Sequence, residues 1–377
     1  ERFFQSPMLA HLNGLHFSRN RFGHDATKAL TSSPHLKNLT ELTILDPEMT
    51  SQAFELLVSA EALSQLKTLD LTNNERSSAE SMLQEQDALD LPSLESLRLI
   101  RLGANSSELA GLVQTPTFSR LICAMLGGNN LGDEGMVALA QAEHSRLQYL
   151  NLVGCEIGRE GADALAQSEM FQDLRHLHLG WNDLGEEGVE SLAGSQTLPE
   201  LRSLDLPSVK MTDEGLSLLL TAPFIHQLTS LGLHTNQLSG AMLESLARCS
   251  GLSNLRELSI TLMQPTHEQL RRFQSLNELS SLTTLAIRFS GINTARLAIL
   301  LEAPSLARLQ SLDLSGNYFA EGGAELLASS PAAASLIHLN LRYGRMGNHG
   351  SAALACSPFL PNLIPLDLRN NHRTDEA

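Results

Sequence analysis

The sequence predicts an α/β solenoid of about fourteen repeats, each contributing one short parallel strand and one helix. Three observations lead to this fold class. A leucine pattern returns at a nearly constant interval, polar and apolar residues alternate within each leucine segment, and a helical pattern follows. Because such repeats bury their apolar faces by stacking on one another, residues 1–377 are expected to form one solenoid.

The repeated pattern is L-x-x-L-x-L-x-x-N, where x is any residue. Consecutive copies begin 26 to 28 residues apart, and most begin 27 residues apart. We number the positions of each repeat from its first leucine. The predicted strand segments begin near residues 12, 39, 66, 94, 121, 147, 174, 201, 228, 255, 282, 309, 336 and 363.

Each repeat opens with a strand that has one buried face. In the seventh repeat, Leu177 and Leu179 alternate with His176 and His178, which is the period of two expected of such a strand. Positions 1, 4, 6 and 11 are therefore assigned to the core. Positions 2, 3, 5, 7, 8 and 10 are assigned to an exposed strand surface.

A helix follows the strand. The segments 132–141, 158–167 and 185–194 share a Gly-x-x-Gly start and carry acidic residues in the first turn, where they complement the helix dipole. Prolines follow several helices at one phase, as at Pro223 and Pro331, and indicate where those helices end.

Position 9 predicts a ladder of buried asparagine side chains that bind the backbone of neighbouring turns. The intervening repeats carry Pro47, Leu102, Cys155, Val209 and Met263 there, so the period of the first ten repeats is interpreted as a pair. The alternation breaks near Ser290. The ladder residues are Asn20, Asn74, Asn129, Asn182, Asn236, Asn317 and Asn371.

The leucine pattern, the helical return and the alternating Asn/Cys position resemble the ribonuclease-inhibitor-like class of leucine-rich repeats over residues 12–371. The repeats are about one residue shorter than is usual for that class, and they look most like long cytoplasmic repeat proteins of bacterial type. The resemblance implies a horseshoe with a concave strand sheet and convex helices. Both ends fall within a repeat, so we expect the chain to be part of a longer protein.

Composition excludes several classes of function. The net charge of −16 argues against nucleic acid or an anionic membrane as the main partner. No apolar run approaches the ~20 residues of a membrane span, and no secretory signal opens the sequence. Four cysteines far apart in sequence favour a reducing compartment, so we predict a cytoplasmic protein.

The strand surface carries the candidate partner-binding residues. The single tryptophan and all three tyrosines fall on it, whereas most phenylalanines do not. Tryptophan, tyrosine and arginine dominate binding energy at protein interfaces. The alternative is that the rings cover turn backbone on a charge-balanced, solvated face. The candidates form a central cluster of Tyr149, His176, His178, Trp181, Asp205 and His234, and a second cluster of Arg288, Phe289, Tyr318, Arg342, Tyr343, Arg345 and Arg369.

Catalytic and metal chemistry is not predicted. His176, His178 and Asp205 are three residues of the kinds that bind zinc, but nothing completes a site, so no metal and no cofactor are expected. Phosphate-binding, dinucleotide-binding and metalloprotease motifs are absent from the sequence. Cys155 falls on the ladder position and is interpreted as a packing thiol.

The sequence therefore predicts a non-enzymatic module that binds a folded protein on its concave face. Two alternatives stay open. One is the ligand-sensing repeat domain of a larger signalling protein, as in nucleotide-binding leucine-rich-repeat receptors. The other is a GTPase activator of the Ran type, which resembles the same repeat class, although no segment here maps onto the functional residues of those activators.

Overall fold

The computed structural model describes residues 2–20, 22–45, 49–72, 89–142 and 146–371. The chain divides into two compact parts, Glu1–Leu201 and Arg202–Ala377, which we call the N-terminal and C-terminal parts. Each part is a run of strand–helix repeats, and in each part the parallel strands pair in sequence order. The predicted fold class, an α/β solenoid of about fourteen repeats, is confirmed.

The N-terminal part contains seven of the strands. They are β1 (Gly14–Ser18), β2 (Glu41–Leu45), β3 (Thr68–Asp70), β4 (Ser96–Arg98), β5 (Cys123–Met125), β6 (Tyr149–Asn151) and β7 (His176–His178). Its helices are α1 (His24–Thr31), α2 (Ser51–Val58), α3 (Ser106–Val113), α4 (Gly132–Ala140), α5 (Arg159–Gln167) and α6 (Gly185–Gly194). Short 3-10 helices cover Arg2–Gln5, Pro7–His11, Glu61–Leu63, Phe118–Arg120 and Glu169–Phe171.

The C-terminal part continues the same order of elements. Its strands are β8 (Ser203–Asp205), β9 (Ser230–Gly232), β10 (Glu257–Ile260), β11 (Thr284–Ile287), β12 (Ser311–Asp313), β13 (His338–Asn340) and β14 (Leu366–Asp367). Its helices are α7 (Asp213–Leu219), α8 (Met242–Arg248), α9 (His267–Arg271), α10 (Thr294–Leu301), α11 (Ala320–Ala328) and α12 (Gly347–Ala355). Its 3-10 helices are Pro223–Gln227, Ser250–Asn254, Arg272–Glu278, Pro304–Arg308 and Pro331–Ala333.

The strand register has the same step as the leucine pattern. Gly14 pairs with Glu41, while the longer step pairs Thr68 with Ser96. The shorter step pairs Cys123 with Tyr149. Each partner occupies the same position in its own repeat, so stacking aligns identical positions into rows. A row of side chains on the strand surface can therefore be read directly from the sequence.

The leucine positions form the core. Leu174, Leu177, Leu179 and Leu184 of the seventh repeat are all buried, and the same positions are buried in most other repeats. Phenylalanines fill the space near the ends of the helices, including Phe54, Phe118, Phe171 and Phe224. Burial of these large apolar side chains is the main stabilising contribution to such a stack.

The Gly-x-x-Gly helix start has a packing role at its second glycine. A Cβ added at Gly161 would lie 3.2 Å from the Cβ of Met136 in the preceding helix, and one added at Gly188 would lie 3.3 Å from the Cβ of Ala162. These glycines let neighbouring helices approach closely. The acidic first turn also caps the next helix, because the Asp133 carboxylate accepts from the N–H groups of Gly158 (2.7 Å) and Gly161 (2.9 Å).

Buried asparagines at position 9 tie repeats together in pairs. Asn182 accepts, through Oδ1, from the N–H groups of Cys155 (2.9 Å) and Ile157 (3.0 Å) in the preceding repeat. Its Nδ2 donates to the carbonyls of Leu152 (2.8 Å) and Leu179 (2.9 Å). One side chain therefore binds two turns at once, which explains why alternate repeats can place an apolar residue at this position. Asn129, Asn236 and Asn317 make the same four bonds, and Asn371 makes three of them.

Two asparagines stand apart from this arrangement. Asn20 is exposed and donates to the carbonyl of Ser18 in its own repeat (2.9 Å). The partners of the buried asparagines lie up to 30 residues earlier in the chain, and this sequence has no residue that far before Asn20. The ladder assignment of Asn20 is therefore wrong. Asn74 and the intervening Pro47 lie outside the described residues.

The tenth repeat corrects the assignment of Met263 to the ladder row. Met263 is 73% exposed, and Leu262 is buried instead. The N–H of Leu262 donates to Oγ of the buried Ser290 (2.8 Å) in the next repeat. Ser290 thus replaces one arm of an asparagine, and its own N–H donates to Asn317 (3.0 Å). This relay accounts for the break in alternation at Ser290.

Candidate functional site

Position 8 of the repeat is a left-handed turn on the strand surface. Its backbone φ lies between +49° and +73° in every described repeat except the tenth, where Leu262 occupies the position. Left-handed backbone is strained for residues that carry a Cβ, and glycine adopts it without that strain. The residues concerned are Arg19, Arg101, Gly128, Gly154, Trp181, Ser208, Thr235, Phe289, Gly316, Tyr343 and Asn370.

Three large aromatic residues occupy this strained position and remain exposed. Trp181 is 60% exposed at φ +60°, Phe289 is 65% exposed at φ +49°, and Tyr343 is 40% exposed at φ +60°. A bulky residue with positive φ costs about 1–3 kcal/mol relative to an unstrained one. Neither the turn nor the core requires these rings, since glycine serves the same position at Gly128 and Gly154.

A groove of about 750 Å³ lies beside Trp181 in the N-terminal part. By register, Gly128 and Gly154 lie between Arg101 and Trp181 in the row of position 8. The missing side chains open the groove, and Arg101 extends over Gly128. The groove is lined by Thr72, Ile100, Arg101, Gly127, Gly128, Asn151, Val153, Gly154 and Trp181.

Three rings of the central cluster contact one another in the N-terminal part. The ring centroid of Tyr149 lies 5.7 Å from that of His176 and 5.1 Å from that of His178. The interplanar angles of 31° and 34° describe tilted stacking. The sequence prediction is therefore correct in placing these three rings on one strand surface, because positions 3 and 5 of adjacent strands are neighbours.

Asp205 and His234 of the predicted central cluster lie in the C-terminal part, on and beside β8 and β9. The Asp205 carboxylate extends over Gly232, where any Cβ would collide with it. His234 lies 3.3 Å from Oγ of Ser259 through Nδ1. Burial lowers the pKa of His234, and the charge of Asp205 partly opposes that effect.

Acidification is expected to destabilise the protein through His176 and His234. Burial lowers the pKa of both imidazoles from 6.5, with His178 and Arg175 adding to the shift at His176, and Arg288 adding to it at His234. The unfolded chain then binds more protons below pH 6.5. The free energy of unfolding should therefore fall as the pH drops through 6.5 and on through the lowered pKa.

An NMR titration of the imidazole protons measures these pKa values directly. Unfolding by urea at several pH values measures the stability, and His176→Gln or His234→Gln should reduce its decline in acid. An imidazole that titrates at or above pH 6.5 at either residue would contradict the expectation for that residue.

Two arginines of the second cluster are paired with carboxylates. Nε of Arg288 donates to Asp313 (2.8 Å), which also accepts from Asn340 (3.0 Å). Arg369 grips Asp367 through three contacts of 2.6 to 3.1 Å. These hydrogen bonds lower the pKa of Asp367 to about 2, so the pair stays ionised at neutral pH.

The remaining arginines of the second cluster stack on tyrosines. The guanidinium carbon of Arg342 lies 4.7 Å from the ring centroid of Tyr343, and that of Arg345 lies 4.4 Å from the ring of Tyr318. Arg342 also donates to the Tyr343 hydroxyl (2.9 Å). Phe289 covers Gly316, where an added Cβ would lie 2.3 Å from the ring. This cluster thus presents aromatic faces and guanidinium groups together.

Sequence reasoning missed the groove and Arg101. The glycines at 127 and 128 were interpreted as a repeat turn, and Arg101 belongs to neither predicted cluster. The available signal was the succession of residues at position 8, in which two glycines separate an arginine from the single tryptophan. Asp313 was missed as well, although its pairing with Arg288 is a contact between neighbouring rows.

The described residues offer no sign of metal or thiol chemistry. Within the described ranges, no three side chains of His, Cys, Asp or Glu cluster closely enough to hold a metal ion. Burial raises the pKa of the Cys155 thiol to about 11 and also raises that of Cys123, which disfavours the reactive thiolate. None of the helices in the described part combines the length and apolarity that a bilayer crossing demands.

Comparison with known proteins identifies the repeat type. Residues 126–140, 145–166 and 172–193 match a family model described as Leucine Rich repeat. The chain therefore contains leucine-rich repeats. No curated protein matches the sequence. Among solved structures, an internalin (inlF) from Listeria monocytogenes str. 4b F2365 matches at 18% identity and a TM-score of 0.49, covering 96% of this chain and 88% of that chain.

Proposed function

We propose that this leucine-rich-repeat protein is a non-enzymatic module that binds a folded protein partner on its strand surface, the face predicted to be concave. The observation that carries the proposal is the placement of Trp181, Phe289 and Tyr343. Each is a large exposed aromatic residue on left-handed backbone. A residue that strains the fold and adds nothing to the core points to a role outside the fold.

The groove beside Trp181 supports the same proposal. Glycine at 128 and 154 leaves a concavity next to the indole, with the half-buried side chains of Ile100 and Val153 contributing apolar surface. Interfaces gain most of their affinity where an anchor side chain enters such a pocket beside an aromatic ring. We expect an apolar side chain of the partner to occupy this groove.

The rigidity of the repeats supports high affinity without new ordering on binding. Paired asparagine bonds and buried leucines hold the strand surface in place before any partner arrives. A preorganised surface avoids much of the entropy cost that association otherwise carries. Affinity would then come from a few aromatic and arginine anchors on a fixed frame.

Subclass and location are part of the proposal. Helices after the strands support the ribonuclease-inhibitor-like class of leucine-rich repeats. The four cysteines, Cys123, Cys155, Cys249 and Cys356, are all unpaired, which supports a reducing compartment such as the cytoplasm.

Site-specific photo-crosslinking tests which face binds. Benzoylphenylalanine replaces His176 or Glu257, which are exposed on strands β7 and β10, and the matched controls replace Glu190 on α6 or Ser217 on α7. We expect covalent adducts with the same partner from both strand positions in a lysate of the source organism, and none from the helix positions. Adducts from the helices alone, or from no position, would overturn the proposal.

A further inference from the structure

We infer that Arg342 and Arg345 form a binding site for the carboxylates of an acidic segment of a partner protein. The inference rests on the proposed function and names the chemistry that one part of the strand surface recognises. Both arginines lie in the turn that follows β13, three residues apart, with Tyr343 between them. Three observations support the assignment.

Stacking presents the two guanidinium groups with their donors available. Arg345 lies over the ring of Tyr318 at 4.4 Å, and Arg342 lies over the ring of Tyr343 at 4.7 Å. A cation–π contact uses the face of the guanidinium, whereas its N–H groups lie at the edge. The stacks therefore hold the side chains in place and leave edge donors for an anion, which a carboxylate can engage in a bidentate manner.

The carboxylates nearby are already engaged. Asp313 binds Arg288 and Asn340, and Asp367 binds Arg369 through three contacts. Within the described part of the chain, neither Arg342 nor Arg345 forms an ion pair. Two of the four arginines in this cluster thus have an internal carboxylate, and the two that stack on tyrosines do not.

Arg342 has an unused donor. Its Nε is buried and has no acceptor among the described residues. A buried donor without an acceptor is unfavourable, so the free protein gains from any oxygen that the guanidinium can reach. A carboxylate that draws the Arg342 side chain outward would give Nε and a terminal nitrogen their acceptors together.

The overall charge favours a short acidic peptide segment over nucleic acid. The chain carries −16, so a long polyanion would be repelled by most of the molecule. At physiological salt, charges more than about 8 Å away are largely screened. A segment with a few carboxylates can therefore respond to the local pair of arginines, and Phe289 offers apolar contact in the same cluster, being 65% exposed.

Fluorescence anisotropy with labelled hexaglutamate and hexaglutamine tests the site on the full chain. We expect hexaglutamate to bind and hexaglutamine not to bind. The double variant Arg342→Gln with Arg345→Gln should weaken hexaglutamate binding at least about tenfold. The control double variant, Arg248→Gln with Arg271→Gln on helices α8 and α9, changes the net charge equally and should leave binding unchanged. Tyr318→Leu, which removes one stack, should give an intermediate loss.

Three results would overturn the inference. One is equal weakening in the control double variant, which would show a general charge effect. Another is unchanged binding in the double variant at Arg342 and Arg345. The third is a phosphotyrosine hexapeptide that binds more than tenfold tighter than hexaglutamate through the same arginines, which would assign the site to phosphate. Hexaglutamate binding that survives a failure of crosslinking at His176 and Glu257 would support the carboxylate site and overturn the proposed function instead.

Discussion

Asn182→Ala is expected to lower the free energy of unfolding by about 3 kcal/mol or more. The variant removes four hydrogen bonds and leaves the N–H groups of Cys155 and Ile157 buried without their acceptor. A buried polar group left unpaired costs about 1–3 kcal/mol, and alanine cannot admit an equivalent partner. Equilibrium unfolding by urea, followed by circular dichroism, measures the change.

Asn20→Ala is the matched control for this prediction. Asn20 occupies the same repeat position but is exposed and makes one bond to Ser18. Its replacement should change the unfolding free energy by less than about 0.5 kcal/mol, as for surface substitutions in general. Similar losses in the two variants would mean that the bonds between repeats are not what Asn182 contributes. Because repeat arrays can unfold in segments, the transition should also be checked with a second probe.

Trp181→Gly is expected to separate binding from stability. Removing the Cβ relieves left-handed strain while glycine adds flexibility to the unfolded chain, so the unfolding free energy should change by less than about 1 kcal/mol. The affinity for the crosslinked partner should fall at least about thirtyfold, which corresponds to the 2 kcal/mol of an interface hot spot. Calorimetric titration of the purified partner and urea unfolding give the two values.

Thr235→Gly supplies the control for the turn itself. Thr235 has the same position and nearly the same φ, +61°, but a small side chain. It should show a similarly small change in stability and keep its affinity within about threefold, well below a tenfold step. If Trp181→Gly binds the partner as tightly as the unchanged protein, the indole is not an anchor, and the groove beside it loses its assigned role.

The repeat made most of the fold predictable. Leucines every 27 residues define both the strand and the register, because stacked strands must align equivalent positions to bury one face. The insertion at Ser96 and the deletion at Tyr149 appear in the strand pairing with no further adjustment. The helix segments beginning at Gly132 and Gly185 also form where the Gly-x-x-Gly pattern predicts them.

Prediction failed where one repeat depends on another. Met263 occupies the ladder position by count, yet Leu262 is buried and Met263 is exposed. The reason is that Ser290 in the next repeat binds the N–H of Leu262, and the turn follows that bond. Such a contact joins residues 28 apart and leaves no mark on the local leucine pattern.

The candidate site divides in the same way. Position alone placed Trp181, Tyr318 and Tyr343 on the exposed surface, and all three are exposed. Position could not show that Arg288 is engaged by Asp313 while Arg342 stacks on Tyr343. Those outcomes depend on which acidic side chain in the adjacent repeat comes within hydrogen-bond distance.

The sequence by itself determined the class of fold, the rows of equivalent positions and the residues that the core rejects. These follow from periodicity, since burial of one leucine face fixes every other position relative to it. The tertiary structure alone decided the left-handed backbone at Trp181, the groove over Gly128 and Gly154, and the two arginines without carboxylate partners. These depend on distances of a few ångströms between side chains about one repeat apart, which a one-dimensional pattern does not contain.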